Sequence, residues 1–207
     1  MFRQLLILGF ITFANAIRVN LTGDDWVITD YTNYTVQGSV PGSIHTILLA
    51  AGEIPDPYLG ENDVNLRDLV KRDWTFMKNF TLTSEILEAN ETNIYLEQID
   101  TVANITINKC PIGQMSNMFR QYVFPVPQTC LRAQNLIEII FQSPVNYALE
   151  QSLIYNVSVP PNCPPEAQHG ECHANFIRKE PCSFSWDWVS RTSFISIFDK
   201  EKDRCSS

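Results

Sequence analysis

The stretch Asp73-Trp74-Thr75-Phe76-Met77-Lys78-Asn79-Phe80-Thr81-Leu82 decides the fold. Trp74, Phe76, Phe80 and Leu82 alternate with Asp73, Thr75, Asn79 and Thr81, the period of two expected of a strand with one buried face and one wet face. Asn79 also opens a glycosylation acceptor, Asn79-Phe80-Thr81, so the polar face is the one on which a glycan could sit. The same agreement recurs where Ala103, Ile105 and Ile107 face one way and Asn104 and Thr106 the other. Further strands are predicted at Asp25 to Asp30, Asn93 to Gln98, Arg120 to Val126 and Leu136 to Gln142. Short alternating strands between turn clusters, with few helices, predict an all-β antiparallel sandwich and not a βαβ sheet. One short helix is predicted over 43–51, with Ser43 as N-cap and Gly52 as its stop. His45 lies on it and is read as a partly buried residue making a local hydrogen bond, because no acid or nucleophile stands beside it. Ile54 to Gly60 is a loop of turn formers, followed by a polar turn around Asn65 to Val70.

The compartment is legible from both ends of the charge and cysteine pattern. Arg3, the apolar run Leu5 to Phe13 and Ala14-Asn15-Ala16 form a secretory signal over 1–16, with the mature protein beginning at Ile17. Acceptors at Asn20, Asn33, Asn79, Asn90, Asn104 and Asn156 agree with that route, and several are expected to carry glycan. A formal net charge of −8 argues against nucleic acid and anionic membranes as partners. No later run is long and apolar enough to span a bilayer. The six cysteines imply bridges in an oxidising compartment. Cys163 and Cys172 flank the Pro- and Gly-containing loop 164–171 and are the favoured pair, and Cys110 with Cys130 is a second candidate. Their spacing, with the three histidines scattered, is a poor match for a metal site, and no metal or cofactor is expected.

Chemistry concentrates in Arg178-Lys179-Glu180-Pro181-Cys182-Ser183-Phe184-Ser185-Trp186-Asp187-Trp188. Trp186 and Trp188 can offer an apolar platform and indole donors to a pyranose, and Asp187 can accept from paired hydroxyls. The same pattern also fits two tryptophans on the inward face of a core strand, and taken alone it fits that better.

A series of motifs in order breaks the tie. Val40-Pro41-Gly42-Ser43-Ile44-His45, Gly52-Glu53-Ile54-Pro55-Asp56-Pro57-Tyr58, Asp73-Trp74-Thr75-Phe76, Asp100-Thr101-Val102, Asn117-Met118-Phe119 and Phe141-Gln142-Ser143 come first. Pro160-Pro161-Asn162-Cys163-Pro164-Pro165, Gly170-Glu171-Cys172-His173-Ala174-Asn175-Phe176 and the stretch Arg178 to Trp188 follow. Together, over roughly Asp25 to Trp188, the chain resembles the N-terminal domain of the β-mannosidases of glycoside hydrolase family 2. The resemblance implies a galactose-binding-like jelly roll over 17–188 that rests on a separate (β/α)8 catalytic barrel. It implies that Trp186, Asp187 and Trp188 reach toward a non-reducing mannose, that Cys163 bonds Cys172, and, more weakly, that Arg178 braces Asp187 or approaches the sugar.

The chain also departs from the family pattern. Trp188 is followed by Val189-Ser190-Arg191 in place of Gly-Pro, and Arg67 by Asp68 in place of Trp. The tail 189–207 is outside the pattern, although Ser193 to Phe198 alternates and can pair as a substitute strand. The barrel with its acid/base and nucleophile glutamates is not represented, so the isolated chain is expected to be a catalytically inactive, monomeric fragment. It would meet a β-mannoside oligosaccharide only together with that barrel, in the lysosome by resemblance or as a secreted protein. A free-standing lectin-like module and a truncated product without function are the alternatives.

Overall fold

The computed structural model describes residues 17–155, 157, 159, 173–180 and 196–197. The predicted signal at 1–16, Asn156, Cys163, Cys172, Trp186, Asp187 and Trp188 lie outside the described residues. The strands are β1 (Gly23–Thr29), β2 (Thr35–Val40), β3 (Gly42–Ser43), β4 (Trp74–Thr81), β5 (Asn93–Leu96), β6 (Ile99–Asp100), β7 (Ala103–Ile107), β8 (Cys110–Met115), β9 (Tyr122–Pro125), β10 (Gln134–Phe141) and β11 (Ser196–Ile197). The helices are α1 (Ile44–Ala50), α2 (Asn62–Asn65), α3 (Ser84–Leu87) and α4 (Pro144–Ile154), with a 3-10 turn at Arg67–Lys71.

One six-stranded antiparallel sheet, in the order β2-β1-β4-β10-β7-β8, forms the main layer. Two smaller sheets, β5-β9 and β3-β11-β6, contribute to the same core. The predicted alternation is what builds that core: Trp74 and Phe76 of β4, Ile137, Ile139 and Phe141 of β10 and Ile105 of β7 are buried on one face, with Ile94, Leu96 and Ile99 from the smaller sheets joining them. Phe76 and Phe141 meet edge to face at 5.2 Å. Two glycines permit close approach between layers. A Cβ on Gly38 would lie 2.4 Å from Cγ2 of Ile47, so α1 lies tight on β2, and one on Gly113 would lie 2.5 Å from the Phe124 ring, which packs β9 on β8.

The alternation of β4 has one refinement. Lys78 shares the inward face with Trp74 and Phe76, and it is buried because that end of the strand reaches the rim. There its ammonium pairs with Asp25, donates to the Thr22 carbonyl at 3.3 Å and sits 5.9 Å from the Trp26 ring. Its stem thus covers apolar surface while its charge is satisfied. Asp30, predicted as the end of the first strand, instead closes the turn beyond it. Its carboxylate accepts from the backbone N–H groups of Thr32, Asn33 and Tyr34 at 2.8–2.9 Å and from Arg72 at 2.7 Å. A carboxylate engaged with a turn's amides competes with the ladder and stops the strand.

Ser43 caps α1 as the sequence predicts, its hydroxyl accepting from the Thr46 amide at 3.2 Å while Thr46 accepts from the Ser43 amide at 3.0 Å. Helix α4 has no counterpart among the predicted elements. Only Pro144 and Ala148 are buried on it, while Leu149, Leu153 and Ile154 are exposed, so no apolar stripe marks it. Its start signal was nevertheless present in Ser143-Pro144: Ser143 Oγ accepts from the Asn146 amide at 3.1 Å, and Pro opens the first turn. Cys110 and Cys130 are disulfide-bonded, Cα to Cα 5.9 Å, tying the start of β8 to the turn before β10.

Candidate functional site

The segment Arg178-Lys179-Glu180 leads toward the Trp186-Asp187-Trp188 stretch, and its anchoring is the part of the candidate site that is described. Arg178 bridges Asn117 in parallel, its carbonyl accepting from the Met118 amide at 3.0 Å, and the Glu180 amide lies 3.0 Å from the Met118 sulfur. Main-chain contacts of this kind fix the path of an irregular segment without fixing its side chains. Arg178 itself stays exposed.

Beneath it, the Lys179 ammonium pairs directly with the Asp100 carboxylate, and both side chains are fully buried. Thr101 donates its hydroxyl to the same carboxylate. Strand β11 pairs with β6 through Ser196–Asp100 and with β3 through Ser196–Ser43, so the pair lies where three short strands meet. His45, two residues beyond Ser43, is buried as well. Its burial is complete where the sequence predicts a partial one. Four motifs far apart in the chain therefore converge: Ser43 with His45, Asp100 with Thr101, Asn117 with Met118, and Arg178 to Glu180.

This cluster's electrostatics follow from its dryness. Burial, aided by the positive charge of Lys179, pushes the His45 imidazole down to about 4. Burial pushes the Asp100 carboxyl up, an effect the Lys179 ammonium and the Thr101 hydroxyl only partly oppose. Two further carboxylates, Asp25 and Asp30, lie on β1 and just beyond its end. At Asp30, burial raises the pKa but the turn amides and Arg72 outweigh it, holding the group well below its ordinary range; the Lys78 hydrogen bond lowers Asp25.

These shifts separate in pH. His45 has a folded pKa below its ordinary 6.5, so the unfolded chain takes up the proton first. The stability that neutral His45 confers is complete above about pH 6.5 and is lost as pH falls toward 4, by about 2–3 kcal/mol. Asp25 and Asp30 lose their contributions only below the ordinary carboxylate value of 3.8. Asp100 acts in the opposite sense, favouring the folded chain as pH falls through its raised value. Urea midpoints measured from pH 7 to 4.5 are expected to fall for the wild-type chain and to fall less for His45→Gln; parallel curves would remove His45 from the account.

The model of the glycosyl hydrolase 2 galactose-binding domain-like family matches residues 25–198. The chain belongs to that family. It is 42% identical to the β-mannosidase of Capra hircus over 181 residues, which is 87% of this chain and 20% of that protein. It is 38% identical to a probable β-mannosidase of Caenorhabditis elegans over 82% of this chain and 19% of that one. Among solved structures, the β-D-mannosidase of Dictyoglomus thermophilum superposes with a TM-score of 0.77 at 29% identity, covering 87% of this chain and 22% of that chain. The chain thus spans about a fifth of the length of these relatives.

Within this glycosyl hydrolase 2 domain, the structure brings Lys179 to Asp100 and near His45, a grouping that sequence reasoning did not make. Asp100 lies in the motif Asp100-Thr101-Val102 and Lys179 in the stretch Arg178 to Trp188, and those motifs were the available signal. The motif Phe141-Gln142-Ser143 is structural in the same way: the Ser143 hydroxyl donates to the Val70 carbonyl at 2.7 Å and its amide donates to Asp73 at 2.8 Å. It therefore locks the start of α4 onto the Asp73-Trp74 motif.

Proposed function

We propose that these residues form the sugar-facing N-terminal part of a β-mannosidase-type glycoside hydrolase of the secretory pathway or lysosome. Such an enzyme would release terminal, non-reducing β-linked mannose from oligosaccharides. The observation that carries this reading is the 42% identity to a β-mannosidase over 87% of the chain. Trp186 and Trp188 would shape one wall of the mannose subsite, Asp187 would accept from sugar hydroxyls, and Arg178 would stand beside them. The convergence of Arg178 to Glu180 on Met118 and Asp100 supports a fixed approach to that stretch.

Retaining glycosidases need a carboxyl acid/base and a carboxylate nucleophile flanking the scissile bond. The proposed role of this domain is a wall of the subsite and contains neither. The purified 207-residue chain is therefore expected to leave a chromogenic β-mannoside intact, and measurable hydrolysis would sink the proposal. Mannose titrated against tryptophan fluorescence is expected to give no saturable signal, because an open half-site loses the enclosure that small ligands need. Saturable binding that disappears in Asp187→Ala would instead identify a free-standing carbohydrate-binding module.

A further inference from the structure

We infer that the outer face of the six-stranded sheet is covered by the chain's own N-glycans on Asn79 and Asn104, and so faces solvent in any longer assembly. The outer face is the one turned away from Trp74, Phe76, Ile137, Ile139 and Ile105. On it Asn79 pairs with Leu136, and Asn104 with Ile140, so the two asparagines stand on opposite sides of β10, four residues apart along it. Strand spacing and rise put their attachment points roughly 16 Å apart. Both asparagines are exposed, and among the described residues neither amide is engaged in a hydrogen bond. Asn33, in contrast, turns its side-chain carboxamide oxygen toward Arg72, whose guanidinium donates to it.

The same face carries apolar side chains between the two sites, on β4 and β10, and beside them on β1. Val27 is 37% and Ile140 38% exposed, with Met77 and Leu136 half-buried, and the register sets Val27, Met77 and Glu138 side by side. A sheet face of this kind is a surface for association unless something covers it. Both asparagines lie inside the sheet, on β4 and on β7, and not at its margins. A glycan at such a position bars a second protein layer from packing flat on the face, which leaves the opposite layer and the ends of the sandwich for any neighbouring domain.

The inference rests on the secretory route proposed above, and the experiment separates the two. The 207-residue chain is secreted from mammalian cells, released from glycan by an amidase in heavy-oxygen water, and mapped by peptide mass. Asn79 and Asn104 are expected to appear as labelled aspartate in most molecules. If both stay unmodified while Asn33 or Asn90 is labelled, the route stands and the glycan cover falls; if no acceptor is labelled, both fall. Asn79→Gln/Asn104→Gln is expected to lose two glycans in gel mobility and to raise the fluorescence of an apolar-surface dye at least about two-fold. Should that variant fail to be secreted, native deglycosylation of the wild-type chain supplies the same readout, and unchanged dye fluorescence would overturn the cover.

Discussion

Replacing Lys179 with methionine is expected to be among the most damaging single changes in this domain, at about 3–5 kcal/mol. Lys179 and Asp100 are both fully buried and pair directly. Removing the ammonium leaves a carboxyl in a dry site with only the Thr101 hydroxyl among its described donors. A buried carboxyl without its counter-charge either stays ionised at high cost or takes up a proton, and the upward push on Asp100 shows that the site already leans that way. The loss should therefore be largest at neutral pH and smaller in acid. Replacing both groups, as Lys179→Met/Asp100→Leu, is expected to restore most of the stability, since an apolar pair of similar volume needs no solvation. Urea unfolding of the three variants at pH 7 decides the matter: a single-site loss below about 1 kcal/mol, or a double variant no better than the single one, would show that the pair is not the anchor. The effect should also reach the segment toward Trp186, because Lys179 lies between the two residues that dock on Asn117 and Met118.

The second large effect is expected at Trp74. Its side chain is fully buried and stacks on Tyr34 at 5.9 Å, and its indole N–H donates to the Leu69 carbonyl at 2.7 Å. Trp74→Ala removes the largest buried side chain of β4, leaves a cavity among aromatic neighbours and strips the Leu69 carbonyl of its donor, for about 3–5 kcal/mol. Trp74→Phe keeps much of the volume and isolates the lost hydrogen bond, at about 1–3 kcal/mol. Chemical denaturation of both variants against the wild type tests the order. Equal losses would mean that the indole hydrogen bond, and not the packed volume, is what the site provides.

These two sites mark the boundary of what could be read beforehand. Trp74 was legible because its burial is local information: the residue lies on the apolar side of a period-two pattern, and that pattern requires only that one face of the strand be covered. The same holds for the exposed Asn79 and Asn104, whose faces follow from their neighbours, and for Ser43, whose capping geometry needs nothing beyond Thr46. Helix α4 escaped because its start signal was not backed by an apolar stripe. Lys78 escaped because a cation on an inward position looks like an error until the rim carboxylate of Asp25 is placed beside it.

By itself the sequence determined the strand class, the faces of the long strands, the capped helix and, through motifs in order, the family and the stretch to examine for sugar chemistry. The tertiary structure alone decided which strands are neighbours, that the tail strand β11 lies between β3 and β6, and that Lys179 meets Asp100 beside His45. The physical reason is that periodicity records how much of a residue is covered and not by what. Lys179 and Asp100 are 79 residues apart, and a charge pair over that distance leaves no local pattern in either segment. Only the closed sandwich, which removes both groups from water together, makes them partners.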